Sequence, residues 1–345
     1  MRKAWQASRA GSSMTVRFAF AGLRHPHIFD MLRRCHACDE IEVVACCEED
    51  AATREALPTG LEVEVTHDDF ASMLDQVECD VVAIGDVYAR RGGLMIQALA
   101  ADKHVIGDKP LCTSLAELEQ VEDLAAQKGR VVGCMLDMRD LPVFLGIREL
   151  LTAGEIGDVH AMSFAGQHPL LYGSRASWYF EEGMHGGVLN DIAVHAVDFI
   201  PWATGLAIER IVGARCWNAT VPAHPHFQQC GQAMLTLENG AGVIGDVSYL
   251  TPDSFAYDFP HYWRTTIWGA DGVIEAGVNS RTLSLYRNGE SQARQLELPP
   301  GRPGGYLDAF LRELGGERSL HLSSSEALAA ARISLLLQEA ADTLD

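Results

Sequence analysis

Asp191 and His195 stand four positions apart in the stretch Asp191-Ile192-Ala193-Val194-His195-Ala196-Val197-Asp198. Residues at that spacing on a helix stack on one face, so the carboxylate is expected to meet the imidazole. A carboxylate beside an imidazole orients the ring for proton transfer near neutral pH. The same pair on a surface helix would only help to hold the helix. Lys109, in Gly107-Asp108-Lys109-Pro110, adds an ammonium that can stabilise negative charge forming on an oxygen. Three such groups around one hydroxyl suit proton transfer at that oxygen. In that chemistry His195 takes the hydroxyl proton, Asp191 orients His195, and Lys109 holds the oxygen. Lys109 and His195 can exchange these roles.

The elements that must carry these groups alternate in type. Thr15 to Ala21 reads as a buried strand, Gly22-Leu23-Arg24-His25-Pro26-His27 as a turn, and Ile28 to Arg34 as a helix. A strand, a glycine turn and a helix form the phosphate-cradling opening of a dinucleotide fold. Of its three glycines only Gly22 is clear, and Arg24 occupies the second place. The second strand, Ile41 to Cys47, ends at Glu48, 26 positions after Gly22. An acidic residue there binds the ribose hydroxyls of NAD and repels the 2′-phosphate of NADP, so NAD is favoured. Val63–Thr66, Asp80–Ile84, Lys103–Gly107 and Arg130–Met135 read as further strands, with helices between them. The alternation predicts an α/β fold with a doubly wound parallel sheet. Ligands of such sheets sit beyond the carboxyl ends of the strands, where Gly22, Glu48, Gly85, Lys109 and Asp137 all fall.

The second half reads as an open, mostly antiparallel sheet, with strands at Val159–Gly166, Ile208–Trp217, Cys230–Glu238, Gly242–Tyr249, Trp263–Trp268, Val273–Ala276 and Thr282–Arg287. Asn239-Gly240 and Asn288-Gly289 supply turns. Trp178 and Tyr179, in the loop before Asp191, offer aromatic faces that suit a sugar ring or pack beneath the loop. Asp137, Arg139 and Asp198 are candidates for substrate hydroxyls or for structural ion pairs.

A formal charge of −20 argues against nucleic acid and anionic membranes as partners. No apolar run reaches the ~18 residues of a membrane span. Nine cysteines, an odd number scattered through the elements, fit reduced thiols in the cytoplasm. Cys35-His36-Ala37-Cys38 has no second ligand pair, and His168, His185 and His195 match no ligand spacing, so no metal site is expected.

Taken in order, several motifs resemble those of the glucose–fructose oxidoreductase / inositol dehydrogenase (Gfo/Idh/MocA) family. Ala98-Leu99-Ala100-Ala101-Asp102-Lys103-His104-Val105 resembles its A-L-x-A-G-K-H-V, Asp108-Lys109-Pro110 its E-K-P, and Gly154-Glu155-Ile156-Gly157-Asp158-Val159 its G-x-I-G-x-V. Asp191 and His195 match its D-x-x-x-H. Asp86-Val87-Tyr88 stands where T-P-N is usual, and Asp108 replaces the glutamate. Met1 to Ser13, polar and without an apolar centre, read as a disordered lead (1–13), and the resemblance implies an NAD-binding Rossmann domain (14–137), an α+β substrate and oligomerisation domain (138–304), and terminal helices (305–345) packing back on the Rossmann domain. It implies cofactor contacts from Gly22, Leu23, Arg24, His25, Glu48, Gly85, Asp86, Asp108 and Lys109, and catalysis by Lys109, Asp191 and His195. The implied reaction is NAD(P)-dependent oxidation or reduction of a secondary hydroxyl on a sugar, polyol or sugar derivative by a homodimer or homotetramer. The alternatives are redox-neutral cleavage of a glycoside with retained NAD, and a non-catalytic sugar or nucleotide sensor.

Overall fold

A computed structural model describes residues 15–58, 60, 63–259 and 262–343. The expected disordered lead lies outside the described residues. β1 (Val16–Ala21), β2 (Ile41–Cys47), β3 (Val81–Ile84), β4 (His104–Gly107) and β5 (Val132–Cys134) form a sheet in the order β2-β1-β3-β4-β5. All its pairs are parallel. Val81, Val82, Ala83 and Ile84 have no exposed surface, as expected of a run with no polar face in a covered parallel sheet. The chain leaves β1 towards β2 on one side and returns to β3 on the other. That reversal opens a crevice at the carboxyl ends of β1 and β3.

The strand expected at Val63–Thr66 does not form. Thr66 instead turns its hydroxyl onto both main-chain groups of Cys46, at 3.1 Å each, and only an isolated bridge joins Cys47 to His67. The main-chain N–H groups of Thr66 and His67 also reach the Cys46 carbonyl, at 2.9 and 3.1 Å, so the segment lies against β2 without continuing as a ladder.

The second sheet has eight strands: β6 (Val159–Pro169), β7 (Ile208–Trp217), β8 (Cys230–Leu237), β9 (Gly242–Thr251), β10 (Arg264–Gly269), β11 (Gly272–Gly277), β12 (Thr282–Arg287) and β13 (Arg294–Glu297). Their order is β13-β12-β11-β10-β6-β9-β8-β7, antiparallel except for β6 with β9. That parallel pair brings the ends of two strands, carrying His168 and Tyr249, to the same side of the sheet. β13 is a charged edge strand, Arg294-Gln295-Leu296-Glu297, without the apolar alternation by which strands are recognised.

The terminal helix Ser324–Asp342 begins at a capping box formed by Ser323 and Glu326. It touches both lobes. Ser324 Oγ accepts from Val132 N at 3.1 Å, beside the first sheet, and Gln338 Oε1 accepts from Leu189 N at 3.1 Å, at the start of the Asp191 segment.

Arg139 and Asp198, expected among the substrate contacts, face each other instead. Arg139 donates to Asp198 at 2.9 and 2.6 Å, to Glu326 Oε1 at 2.9 Å and to the His321 carbonyl at 2.8 Å. Both residues are 2% exposed, and neither lines a cavity near Lys109. A bidentate guanidinium–carboxylate pair is the arrangement in which two buried charges best compensate each other. Removing one partner leaves the other charge buried. Asp198→Ala is therefore expected to destabilise the protein by about 3–5 kcal/mol in urea unfolding. A midpoint equal to the wild type would show that the pair does not hold the helix.

Candidate active site

Lys109 follows β4 and is held from below. Arg91, with no exposed surface, donates to the Lys109 carbonyl at 2.6 Å, the Pro110 carbonyl at 3.0 Å, the Asp86 carbonyl at 2.8 Å and Asp108 Oδ2 at 2.8 Å. One guanidinium thus clamps the loops after β3 and β4 together. Sequence reading missed Arg91. The one available sign was a charged residue on the inward face of a helix, and that face is legible only once the helix is packed.

Lys109 Nζ crosses to the second lobe and donates to Asp191 Oδ1 at 2.7 Å and to the Asp191 carbonyl at 3.0 Å. Tyr249 donates its hydroxyl to Asp191 Oδ2. His185 Nε2 lies 3.0 Å from the Tyr249 hydroxyl and 3.6 Å from Asp191 Oδ2. Burial works to raise the Asp191 carboxyl, but the Lys109 ammonium and the His185 ring outweigh it and hold it well below the usual carboxylate range.

The expected Asp191–His195 contact is not made. Residues Leu189–Ala193 wind as a π-helix before the α-helix Val194–Thr204 begins. The wider turn breaks the register that places residues four apart on one face. Asp191 therefore turns to Lys109, while His195 Nδ1 has no partner among the described residues. Burial, then the charge of Lys109, pushes the His195 imidazole well below its usual range, so the ring is neutral near pH 7. His168 is pushed down to about 3 by burial, again with Lys109 adding to the effect.

Lys109, Asp191 and His195 line one cavity of about 350 Å³, with Asp137, His168, Tyr179 and Tyr249 among its other walls. A larger cavity of about 1020 Å³ runs along Leu23, Arg24 and His25 of the glycine turn and past Asp50, Thr53 and Trp178. The two share His25, His27, Arg175, Tyr179 and Tyr257. The larger space is at the top of the range for small-molecule sites and begins at a helix N-terminus beyond β1. Its volume is large enough for a dinucleotide, and through the shared residues it meets the smaller cavity. Trp178 closes on the turn, its indole N–H donating to the Arg24 carbonyl at 3.4 Å.

Two glycines shape the turn. A Cβ on Gly22, at φ +78, would lie 2.4 Å from Asp86 Cβ, and one on Gly85 would lie 2.4 Å from Ile28 Cβ. Each lets one segment of the crevice pack directly on another.

The acids expected at the cofactor turn inward instead. Glu48 accepts from Leu23 N at 2.6 Å and Asp50 N at 2.8 Å and lines neither cavity. Asp86 pairs with Arg24 at 2.6 Å, and Asp108 is enclosed by Arg91, His25 and His27. These carboxylates are taken by main-chain N–H groups and by neighbouring side chains of the crevice. Asp50 is the acid that borders the larger cavity beside the end of β2, although its carboxylate also caps Thr53.

Comparison with known proteins agrees with this architecture. Residues 16–135 match the family model described as an oxidoreductase family with an NAD-binding Rossmann fold, and residues 144–275 match the GFO/IDH/MocA C-terminal domain. Levoglucosan dehydrogenase of Pseudarthrobacter phenanthrenivorans is 26% identical over 71% of this chain, a match spanning 60% of that protein. The scyllo-inositol 2-dehydrogenase (NAD(+)) of Bacillus subtilis is 23% identical over 63% of this chain and 61% of its own length. Among solved structures, a candidate oxidoreductase of Erwinia carotovora atroseptica superposes with a TM-score of 0.84 at 28% identity, covering 95% of this chain and 99% of that one. The aldose-aldose oxidoreductase of Caulobacter crescentus shares the fold, with a TM-score of 0.75 at 17% identity over 96% of this chain and 98% of its own.

The two buried, neutral imidazoles make the fold sensitive to acid. In the unfolded chain each ring takes a proton as pH drops below about 6.5, while the folded rings do not. The unfolded state then binds more protons, so stability is full above that value and falls below it. The loss is about 1.4 kcal/mol per pH unit for each ring. His168→Gln is expected to flatten the acid limb of urea midpoints against pH by one ring's share. An unchanged slope would mean that His168 is solvated.

Proposed function

Because the chain belongs to the GFO/IDH/MocA family of oxidoreductases and carries its NAD-binding Rossmann domain, we propose that it oxidises or reduces a secondary hydroxyl of a sugar, a polyol or a sugar derivative. The observation that carries this reading is the Lys109–Asp191 contact between the lobes, at the wall of a cavity also lined by His195 and open to the dinucleotide space. Leu23, Arg24 and His25 would hold NAD along the glycine turn, and Asp50 borders the space beyond it. NAD supplies the hydride acceptor or donor when bound.

The protein's own residues supply position and charge. Lys109, fixed by Asp191, donates to the substrate oxygen and stabilises negative charge on it. Neutral His195 has a free lone pair to receive the hydroxyl proton during oxidation. Asp191 positions Lys109 and is in turn held by Tyr249 and His185. Tyr179, Trp263 and Tyr262 give the small cavity aromatic walls against which the C–H face of a sugar ring can lie. The inositol and levoglucosan dehydrogenases among the relatives act on compounds of this size, which supports the substrate class. Cysteines without disulfides among the described residues fit a reducing, cytoplasmic setting, and no helix among those residues is long and apolar enough to cross a membrane.

A homo-oligomer completes the proposal. Val212, Met234, Ile244, Trp268 and Tyr286 are large apolar side chains exposed on strands of the second sheet, with Met234 paired directly opposite Ile244. A second copy of the chain would cover such a surface.

Two measurements test these assignments. With NAD⁺ and a panel of inositols, levoglucosan and monosaccharides, the absorbance of the reduced cofactor should rise for at least one compound. On that compound Lys109→Met and His195→Asn should each lower kcat by about 10²–10⁴-fold. A change confined to KM would remove both from the chemistry. Light scattering after size exclusion should give a mass above the monomer, and Ile244→Lys should lower it. A monomeric wild type would end the oligomer proposal.

A further inference from the structure

Two histidines of the glycine turn have no part in the proton-transfer set, and they converge on one carboxylate. His25 Nδ1 contacts Asp108 Oδ2, and His27 Nδ1 lies 3.1 Å from Asp108 Oδ1. The three ligand atoms lie within 4.8 Å of one another. We propose that His25, His27 and Asp108 form a binding site for a divalent transition-metal ion, zinc foremost, whose remaining position opens into the cavities.

The spacing suits the ion. Zinc bonds to nitrogen and oxygen of about 2.0–2.1 Å in a tetrahedron set neighbouring ligand atoms roughly 3.3 Å apart. The 3.1 Å between His27 Nδ1 and Asp108 Oδ1 is close to that edge. Two imidazoles and one carboxylate are a donor set that zinc and its first-row neighbours accept, and three protein ligands leave one position free.

The surroundings fit as well. Imidazole ligands are commonly fixed through their second nitrogen, and ligating carboxylates by further donors. His25 Nε2 lies 3.1 Å from the Tyr179 hydroxyl and 3.2 Å from the Tyr88 hydroxyl. Arg91 Nη2 holds Asp108 Oδ2 at 2.8 Å. Without an ion a proton on Nδ1 is donated to Asp108 Oδ2; with an ion Nδ1 would ligate by its lone pair, and the proton would move to Nε2, facing the tyrosine hydroxyls. Arg91 already balances the charge of Asp108, so the open position is best filled by an anionic oxygen, hydroxide in the protein alone.

Access is built in. Asp108 has no exposed surface and His25 is 4% exposed, whereas the His27 side chain is 46% exposed and forms the way in. Both histidines line both cavities. In the chain they precede Asp108 by more than 80 positions, too far apart for any local ligand motif.

The site is tested by binding alone, independently of any substrate. Untagged full-length protein, stripped with a chelator, is titrated with Zn²⁺ against a chromogenic chelator. Uptake of one equivalent is expected, weakened at least about tenfold in His27→Ala and in Asp108→Asn. His27 is exposed enough for its variant to fold, which circular dichroism checks, so the result does not depend on the buried Asp108. His224→Ala, at a separate pair of neighbouring histidines, should bind as the wild type does. Co²⁺ should give visible bands of nitrogen and oxygen ligation without thiolate charge transfer. No stoichiometric ion, binding unchanged in His27→Ala, or thiolate bands from the cysteines would each overturn the site.

Discussion

The buried contact of Lys109 with Asp191 is the constraint on which the site depends. It joins a strand end of the first sheet to the helical segment of the second lobe, with the lysine 4% and the aspartate 3% exposed. Two charges withdrawn from water cost several kcal/mol each, and only close geometry with further hydrogen bonds offsets that cost. Those bonds are present. Asp191 receives Lys109 and Tyr249, and Arg91 fixes the main-chain carbonyls of Lys109 and Pro110. A buried pair of this kind ties the two lobes into one relative position, and the position creates the cavity between them.

The electrostatics follow from the same pair. The positive charge of Lys109 adds to burial in keeping His168 and His195 neutral, and it holds Asp191 ionised against burial. A fixed cation beside a neutral imidazole is the arrangement that an alcohol oxygen needs if it is to lose a proton while its carbon loses a hydride. Rings close the rest of the space. Tyr88, Trp178 and Tyr179 pack edge to face and tilted, with centroids 4.1–5.7 Å apart, and seal the glycine turn against the loop before Asp191.

A second carboxylate network lies beside the first. Asp108, next in sequence to Lys109, gathers Arg91, His25 and His27. The loop after one strand therefore delivers a cation to Asp191 and an anion to the two histidines. Glu48 turns inward onto the Leu23 and Asp50 N–H groups. Where backbone donors are exposed at a crevice, the nearest carboxylate takes them.

The parallel first sheet was legible in the sequence because its strands are short apolar runs bounded by glycine and acidic residues. The large antiparallel sheet was legible because its strands alternate. Both are local patterns imposed by burial on one face or two. The same local reading named Lys109, Asp191 and His195, since strand ends and helical spacing are properties of the chain itself. Partners were decided only in three dimensions. A π-turn at Leu189–Ala193 leaves no trace in hydropathy, yet it gave Asp191 to Lys109 instead of to His195. Arg139 and Asp198 found each other, and the acids of the crevice turned to main-chain N–H groups or to neighbouring side chains, because charge pairing in a folded core is settled by which groups packing brings within about 3 Å, and no spacing along the chain encodes that.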